Sequence, residues 1–485
     1  MVNTNTLGRS FFARYFHFLA LLLMTTVFTQ VAHAQNPIPH VLDSILDKRL
    51  LDQRNALGVR GLSAAIQFPD GSVWEGVAGI SSAAPVDSIT PQHLFNIGSV
   101  TKTITSACIL QMADENLLSL DDSLHEWLPT YEFIDSNITI RQLMRHQSGI
   151  YDILMNPAFQ PTMFNDIDSM WTPHNAIKTF ILAPEFAPGT SWAYSNTNYM
   201  LLGMIIETVS GKPYYQVVRE RFLDPLDLAS FVLPPHEPVL PPASDVWVDI
   251  TGDGVTDNAG DLIYNWNSFN YVAGAAGLYF STAGDLARWI RAVLSAGIIS
   301  DSTLNEAKET VASQPAGVRY GLGIMERKFL NNLAYGHGGD LGYCANAWYF
   351  PEKDVSITVL NNDAKKNSWQ IAPVVQVLLK ACIDYQMATP AEDLPLANQA
   401  QVTTYPNPFT REIYLSAILP EQFERITCEM VNYLGETVFS MASVPTDGLE
   451  INTALPTAEN LPGGLYFLQL YGDGQLISTE KVIKQ

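Results

Sequence analysis

Phe95-Asn96-Ile97-Gly98-Ser99-Val100-Thr101-Lys102 is the most informative segment of this chain, because it places a serine and a lysine three residues apart. If a helix begins near Ser99, the side chains of Ser99 and Lys102 lie on one helix face, one turn apart. A serine hydroxyl is a weak nucleophile until a base takes its proton, and a lysine becomes such a base when burial or a positive neighbour lowers its pKa. The spacing therefore predicts an activated serine, with a capped surface helix as the alternative.

The residues that follow favour the activated serine. Thr103 to Leu117 is a largely apolar segment, with Ile104, Ala107 and Leu110 at helical spacing. Such a segment predicts a buried helix rather than a surface one, so Ser99 is expected at the beginning of a core helix.

A second motif is Tyr194-Ser195-Asn196. A tyrosine beside a lysine ammonium can lose its proton near neutral pH, because the positive charge stabilises the phenolate. Tyr194 would then act as a base toward Ser99 and as an acid toward the leaving group. The Asn196 amide can hold a substrate carbonyl and hydrogen-bond Lys102. The alternative is an ordinary turn before a core helix.

A third motif is His337-Gly338-Gly339, followed by Asp340. Glycines in a strand leave the backbone open to a ligand. The backbone N–H groups of Ser99 and Asp340 are therefore candidates for an oxyanion hole. The alternative is a glycine-rich hairpin with a surface histidine.

The three motifs occur in the order and at the spacing of a known family. Tyr-x-Asn follows Ser-x-x-Lys by 95 residues, and His-x-Gly follows about 140 residues later. This pattern resembles the serine β-lactamase and DD-peptidase superfamily, in particular class C β-lactamases, D-alanyl-D-alanine carboxypeptidases and related esterases. Segments 138–149 and 274–283 fit as well, and the resemblance covers roughly residues 40 to 385.

The resemblance implies a role for each motif residue. Ser99 would be the acylated nucleophile, Lys102 and Tyr194 would share the proton transfers, and Asn196 would orient the substrate. Which of Lys102 and Tyr194 is the acylation base stays open. His337, Gly339 and Asp340 would line the substrate site, with no metal and no cofactor.

One motif departs from the family pattern. Class C β-lactamases carry Lys-Thr-Gly where this chain has His337-Gly338-Gly339. A histidine is only partly charged near neutral pH, so recognition of a substrate carboxylate should be weaker and pH-dependent. The departure favours a hydrolase of amide, peptide or ester bonds, of the carboxypeptidase or aminopeptidase type, over a β-lactamase. The alternatives are a penicillin-recognising binding protein, an esterase or β-lactamase with slow turnover, and a vestigial surface-binding module.

Length and charge limit the other functions. The chain has 485 residues, enough for two or three domains, and a formal net charge of −22. An acidic surface repels the phosphates of nucleic acids and anionic lipids. We expect no nucleic-acid partner, and a small-molecule, peptide or cell-wall-derived substrate.

The amino terminus predicts export. Residues 1–34 carry Arg9 and Arg14, then an apolar run over Phe18 to Phe28, and end in Ala32-His33-Ala34. This pattern is typical of a cleaved signal peptide, and the apolar run is short for a membrane span. An uncleaved anchor is the alternative; we expect no stable membrane span.

The carboxy terminus predicts a second domain. A linker at 388–402 contains prolines and acids, and 403–485 contains strand-like runs ending in a hairpin signal at Gly472-Asp473-Gly474. The opening Tyr405-Pro406-Asn407-Pro408-Phe409 resembles the C-terminal sorting domain of the type IX secretion system. That resemblance implies secretion or surface display, with the type IX machinery as partner. A retained carbohydrate- or surface-binding module is the alternative.

Metal and disulfide chemistry find little support. Asp249–Asp257 places acids as a calcium loop does, but Gly260 stands where the bidentate glutamate belongs, so a turn rich in Asp is the commoner explanation. We interpret the four cysteines as mostly free, buried thiols: Cys108, Cys344, Cys382 and Cys428.

The expected fold class is α/β (α+β). The resemblance implies that residues 35–387 form an antiparallel sheet flanked by helices beside a helical lobe, with the site between them, followed by a small β-sandwich at 403–485. The sequence pattern permits this architecture. It predicts amphipathic helices over Thr103–Leu117, Asn198–Ser210 and Ala283–Ala296.

Overall fold

The structure is a computed structural model. It describes residues 38–83, 85–249, 252–260, 262–295, 297–313, 317–388, 400–432, 437–456, 461–462 and 464–484. The predicted signal peptide and most of the predicted linker lie outside these ranges.

Thirteen strands occur in the described residues up to 388. They are β1 (Gly61–Gln67), β2 (Val73–Ala83), β3 (Val86–Ser88), β4 (Phe95–Asn96), β5 (Val246–Val248), β6 (Asp257–Gly260), β7 (Phe280–Ser281), β8 (Val311–Ala312), β9 (Arg319–Tyr320), β10 (Met325–Phe329), β11 (Asn332–Leu341), β12 (Tyr343–Phe350) and β13 (Val355–Asn361). Nine of them form one antiparallel sheet in the order β3-β2-β1-β13-β12-β11-β10-β9-β8. β4 pairs with β7, and β5 with β6.

The α-helices of the same region surround this sheet. They are α1 (His40–Leu57), α2 (Thr101–Asp114), α3 (Leu124–Trp127), α4 (Ile140–Met144), α5 (Phe159–Asn165), α6 (Pro173–Phe180), α7 (Asn196–Ser210), α8 (Tyr214–Val218), α9 (Leu262–Asn265), α10 (Asn267–Gly277), α11 (Ala283–Leu294), α12 (Asp301–Ala307) and α13 (Ser368–Ala388). Short 3₁₀ turns lie at Gly98–Val100 and Ile153–Met155, and a π-helical turn at Arg219–Leu223.

Helices cover both faces of the sheet, which is why its central strands are buried along their whole length. On one face α1 and α13 pack over Ile357 and Val359 of β13. On the other face α11 accepts hydroxyl hydrogen bonds from Ser356 and Thr358, so the polar side chains of this strand are satisfied by helix carbonyls.

The helical lobe buries the helix that follows the nucleophile motif. Eleven residues of α2 are buried, among them Lys102. The predicted fold class is confirmed, and the three predicted helices exist with shifted ends. α2 begins two residues earlier than predicted and stops before Asn116, whose φ of 57° lies in the left-handed region.

The carboxy-terminal residues form two packed sheets. Their strands are β14 (Gln401–Tyr405), β15 (Tyr414–Ile418), β16 (Ile426–Asn432), β17 (Thr437–Met441), β18 (Glu450–Ala454), β19 (Gly464–Gly472) and β20 (Gln475–Lys484). The sheets β14-β15-β18 and β17-β16-β19-β20 share one core that includes Leu415, Ile451, Met430 and Leu468. The predicted hairpin is present, with positive φ at both Asp473 and Gly474.

Candidate active site

Ser99 sits in a tight turn that presses against strand β11. The turn Gly98–Val100 leads directly into α2, and Asn96 holds it by accepting a hydrogen bond from the Gly98 N–H at 2.8 Å. Gly98 has φ +53°, and a Cβ there would lie 2.7 Å from the Asp340 backbone nitrogen. A glycine is therefore required both for the turn and for its contact with β11.

Lys102 is fully buried behind Ser99. Its Nζ lies 3.0 Å from Ser99 Oγ, 2.8 Å from Asn196 Oδ1 and 2.5 Å from the carbonyl oxygen of Ala276. The last two partners only accept hydrogen bonds, whereas a serine hydroxyl can also donate. A neutral amine, with two hydrogens and one lone pair, therefore satisfies all three contacts if the Ser99 hydroxyl donates to it.

Burial also sets the protonation of this lysine. It lowers the pKa of Lys102 to about 7, against an opposing effect of the Asp152 carboxylate, which raises it. A large fraction of Lys102 is thus neutral near pH 7. A neutral amine is what a lysine needs in order to act as a base toward Ser99.

Asp152 was not singled out from the sequence. It is buried, and its carboxylate accepts hydrogen bonds from Asn196 Nδ2 at 2.8 Å and from the Leu154 N–H at 3.1 Å. Burial raises the pKa of Asp152, while these hydrogen bonds and Lys102 lower it. The bond to Nδ2 turns Oδ1 of Asn196 toward Lys102. The only signal for Asp152 in the sequence is its place just after segment 138–149.

Tyr194 differs from expectation in its ionisation. Its ring centroid lies 4.8 Å from Lys102 Nζ, and its buried hydroxyl faces Ser99. Burial raises the pKa of Tyr194 well above the usual range, and the contact with Ser99 only partly opposes this. The expected phenolate near neutral pH is therefore wrong, because Lys102 lies over the ring face and the oxygen is desolvated. Tyr194 is a neutral phenol that can donate a proton.

His337 is also uncharged. It is fully buried, its Nδ1 lies 2.5 Å from the Gly338 carbonyl oxygen and its Nε2 lies 3.0 Å from the Tyr320 hydroxyl. The Gly338 carbonyl oxygen can only accept a hydrogen bond, so Nδ1 of His337 carries the hydrogen. Nε2 then accepts a hydrogen bond from the Tyr320 hydroxyl. Burial, with Lys102, lowers the pKa of His337 to about 3. The expected partial charge near neutral pH is wrong for this reason, and so is the surface-hairpin alternative.

The hydrogen bonding continues behind the site through Tyr320 and His146. The Ser195 N–H donates to His146 Nδ1 at 3.1 Å, so His146 Nε2 carries the hydrogen and points at the Tyr320 oxygen at 3.3 Å. The His146 ring packs on Tyr194 with centroids 4.2 Å apart. His146 lies in the quoted segment 138–149, whereas nothing in the local pattern marked Tyr320. One buried network therefore joins the start of α7 to β11.

Gly339 and Asp340 reach the site through their backbone. A Cβ on Gly339 would lie 2.1 Å from the Ile97 carbonyl oxygen and 2.8 Å from the Ser99 nitrogen, so only glycine fits. The Asp340 carboxylate accepts hydrogen bonds from the N–H and Oγ of Ser368 at 2.6 and 2.5 Å. The side chain thus binds the first residue of α13, and its backbone N–H remains the candidate oxyanion donor.

The structure adds three findings on metals, thiols and membranes. The Asp249 carboxylate accepts N–H groups of Gly252, Asp253 and Gly254, as in a turn, and no group of three or more potential ligands is arranged for a metal in the described residues. All four cysteines are buried and free, as interpreted from the sequence. Among the helices of the described chain, none has the length and hydropathy to cross a membrane.

Comparison with known proteins covers both parts of the chain. Residues 48–377 match the family model described as beta-lactamase, and residues 403–485 match that of the secretion system C-terminal sorting domain. A D-stereospecific amidohydrolase from Streptomyces sp. superposes with a TM-score of 0.60 at 30% identity, over 70% of this chain and 98% of that one.

Two further relatives share a lower sequence identity with this chain. The D-amino acid amidase from Ochrobactrum anthropi SV3 superposes with a TM-score of 0.63 at 23% identity, over 71% of this chain and 99% of that one, which shows the shared fold. Penicillin-binding protein 4 from Amycolatopsis lactamdurans is 25% identical over 292 residues, which are 58% of this chain and 70% of that protein.

Proposed function

The chain belongs to the beta-lactamase family, and from this premise we propose that it is an exported serine hydrolase that forms an acyl-enzyme on Ser99. The sorting domain at 403–485 indicates export to the cell surface or the medium, through the type IX machinery. The observation that carries the proposal is the 3.0 Å contact between Ser99 Oγ and a buried lysine with a pKa of about 7.

In the proposed acylation step Lys102 is the base. Its lone pair takes the Ser99 proton while Oγ attacks the carbonyl carbon of the substrate. The backbone N–H groups of Ser99 and Asp340 hold the oxyanion, and each such donor is worth roughly 3 kcal/mol in comparable sites. The proton then passes from Lys102 to the leaving nitrogen or oxygen, and the neutral Tyr194 phenol, which faces Ser99, donates a hydrogen bond to that leaving atom. Water repeats the sequence to release the acid and free Ser99.

We propose an amide as the substrate bond, in a substrate without a carboxylate next to it. His337 is neutral, the Asp340 carboxylate is committed to Ser368, and Lys102 is committed to Ser99, Asn196 and Ala276. These residues offer no free cation for a substrate carboxylate. The similarity to a D-stereospecific amidohydrolase supports the amide and suggests D-configured acyl groups.

Three readouts test this function: ammonia released from the amides, the amino acid released from the dipeptide, and ring opening of the β-lactam. The purified protein is incubated with the amides of D- and L-phenylalanine, with a dipeptide that ends in a free carboxylate, and with a β-lactam. The proposal predicts turnover of an amide, loss of turnover in Ser99→Ala, and full activity in Ser302→Ala, a matched change at an exposed serine of α12. A burst of one equivalent without turnover would instead identify the slow, penicillin-recognising alternative.

A further inference from the structure

A cleft of about 450 Å³ lies where the end of α1, the start of β1 and the segment after β13 meet. Three cations line it: Arg54, Arg60 and Lys365. Such a cluster is unexpected on a chain with a net charge of −22. None of the residues that form the candidate active site lines this cleft.

Arg60 is the central cation of the cleft. Its guanidinium stacks over Trp247 at 5.4 Å from the ring centroid, which fixes its position. Its Nε is buried, and in the described part of the chain the guanidinium has neither a hydrogen bond nor an ion pair. Stacking on Trp247 does not replace the hydrogen bonds that a half-buried guanidinium loses from water, so this position is suited to an anion supplied from outside.

Arg54 and Lys365 are the other two cations that line the cleft. Arg54 donates from Nε and Nη2 to the Arg60 carbonyl oxygen at 3.4 and 3.2 Å, which ties it to the wall. Lys365 Nζ lies close to Gly58, the residue after α1: a Cβ placed on this glycine would be 3.6 Å from it. Over the described residues, neither side chain forms an ion pair, so their charges are not neutralised by protein carboxylates.

One carboxylate, that of Asp363, also lines the cleft, and backbone groups engage it. Asp363 is buried and accepts the N–H groups of Arg60 at 3.2 Å and Lys365 at 3.0 Å. In the neighbouring turn, Asp249 and Asp253 likewise accept backbone N–H groups. The cleft therefore holds three cationic side chains against one carboxylate, that of Asp363, which is 2% exposed.

We propose that this cleft binds a small molecule carrying a dianionic oxyanion group, a phosphate monoester or a pair of adjacent carboxylates. Guanidinium groups recognise such oxygens through paired, charge-assisted hydrogen bonds. The cleft volume falls within the range of small-molecule sites, so the ligand is larger than the anion alone. The proposal does not depend on the hydrolase function.

Titration calorimetry on the full chain tests the proposal. Inorganic phosphate and succinate are the two probes, at constant ionic strength with chloride as the reference salt. We expect saturable binding of one probe at one site. Binding of phosphate would identify the ligand as a phosphate monoester, and binding of succinate would identify it as a dicarboxylate. Lys365→Gln and Arg60→Gln should each weaken binding by about tenfold or more, because each removes a charged hydrogen bond.

The control variants distinguish a specific anion-binding site from nonspecific attraction by surface lysines. Lys353→Gln makes the same change at an exposed lysine outside the cleft and should leave binding unchanged. Ser99→Ala should also bind normally, whether or not the chain is a hydrolase. If the Arg60→Gln variant fails to fold, the proposal is tested by the binding affinity of Lys365→Gln, which changes an exposed side chain. Absence of saturable binding, or equal weakening by Lys353→Gln and Lys365→Gln, would overturn the proposal.

Discussion

Burial sets the chemistry of the individual residues in the candidate site. It lowers the pKa of Lys102 and of His337, and raises that of Tyr194. The sequence motifs identified these three residues, because residue types and spacing are visible in a sequence. The ionisation of Tyr194 and His337 was predicted wrongly, because a motif does not show how completely a side chain is desolvated. Asp152 and Tyr320 were missed because neither belongs to a motif.

The first prediction concerns pH. Lys102 must be neutral to take the Ser99 proton, so kcat/KM should rise with pH through about 7 and then level off. The measurement is a pH profile of amide hydrolysis between pH 5 and 9. Lys102→Ala should reduce the rate by about 10²–10⁴-fold. A profile that falls across this range would show that the base has been misassigned.

The second prediction concerns Tyr320. Tyr320→Phe keeps the ring but leaves His337 Nε2 and the His146 Nε2–H without their partner. Because both groups are buried, unfolding free energy should fall by about 1–3 kcal/mol, as measured by urea denaturation. Tyr349→Phe is the control, since its hydroxyl bonds Asp354, whose side chain is 41% exposed to water. Equal losses in the two variants would contradict a special role for the buried network.

At the scale of elements, the contact between β11 and the turn Gly98–Val100 forms the site. Local pattern predicted α2, α7 and α11, because their apolar periodicity is visible over short windows. It did not predict that β4 pairs with β7, or that β9, two strands from β11 in the same sheet, carries the tyrosine that bonds His337. Such pairings join residues far apart in the chain, and nothing local encodes them.

The third prediction tests that contact. Gly339→Ala places a methyl group 2.1 Å from the Ile97 oxygen and must push β11 away from Ser99. We expect kcat/KM to fall by about 10²-fold or more, since an oxyanion donor is displaced. The matched variant is Gly338→Ala, whose methyl group would lie 3.3 Å from Ser368 Oγ, 3.5 Å from its Cβ and 3.8 Å from the Ala345 carbonyl oxygen, with no contact under 3.0 Å. Similar activity in the two variants would argue against the proposed oxyanion hole.

At the scale of the whole molecule, the sequence identified two folded parts with different roles. The family match at 48–377 and the sorting-domain match at 403–485 agree with the resemblances seen in the motifs. The exact boundaries, with a linker at 388–402, stay a prediction, as does the signal peptide at 1–34. The substrate could not be predicted from the sequence, because the loops that shape a pocket carry no periodic pattern.

The fourth prediction concerns stability in acid. His146 and His337 have folded pKa values below their unfolded value near 6.5. The unfolded chain therefore binds more protons as pH falls, and stability should decline from about pH 6.5 downward, by up to about 1.4 kcal/mol per pH unit for each histidine. Urea denaturation at pH 7, 5.5 and 4.5 measures this slope. His337→Gln should make it shallower; an unchanged slope would contradict the assignment.

Covalent labelling shows whether Ser99 is an activated nucleophile. The intact mass of the purified protein is recorded after exposure to a fluorophosphonate, beside Ser99→Ala treated in the same way. We expect a single adduct on the native protein and none on the variant. A folded native protein without an adduct, or an adduct that persists in Ser99→Ala, would contradict it.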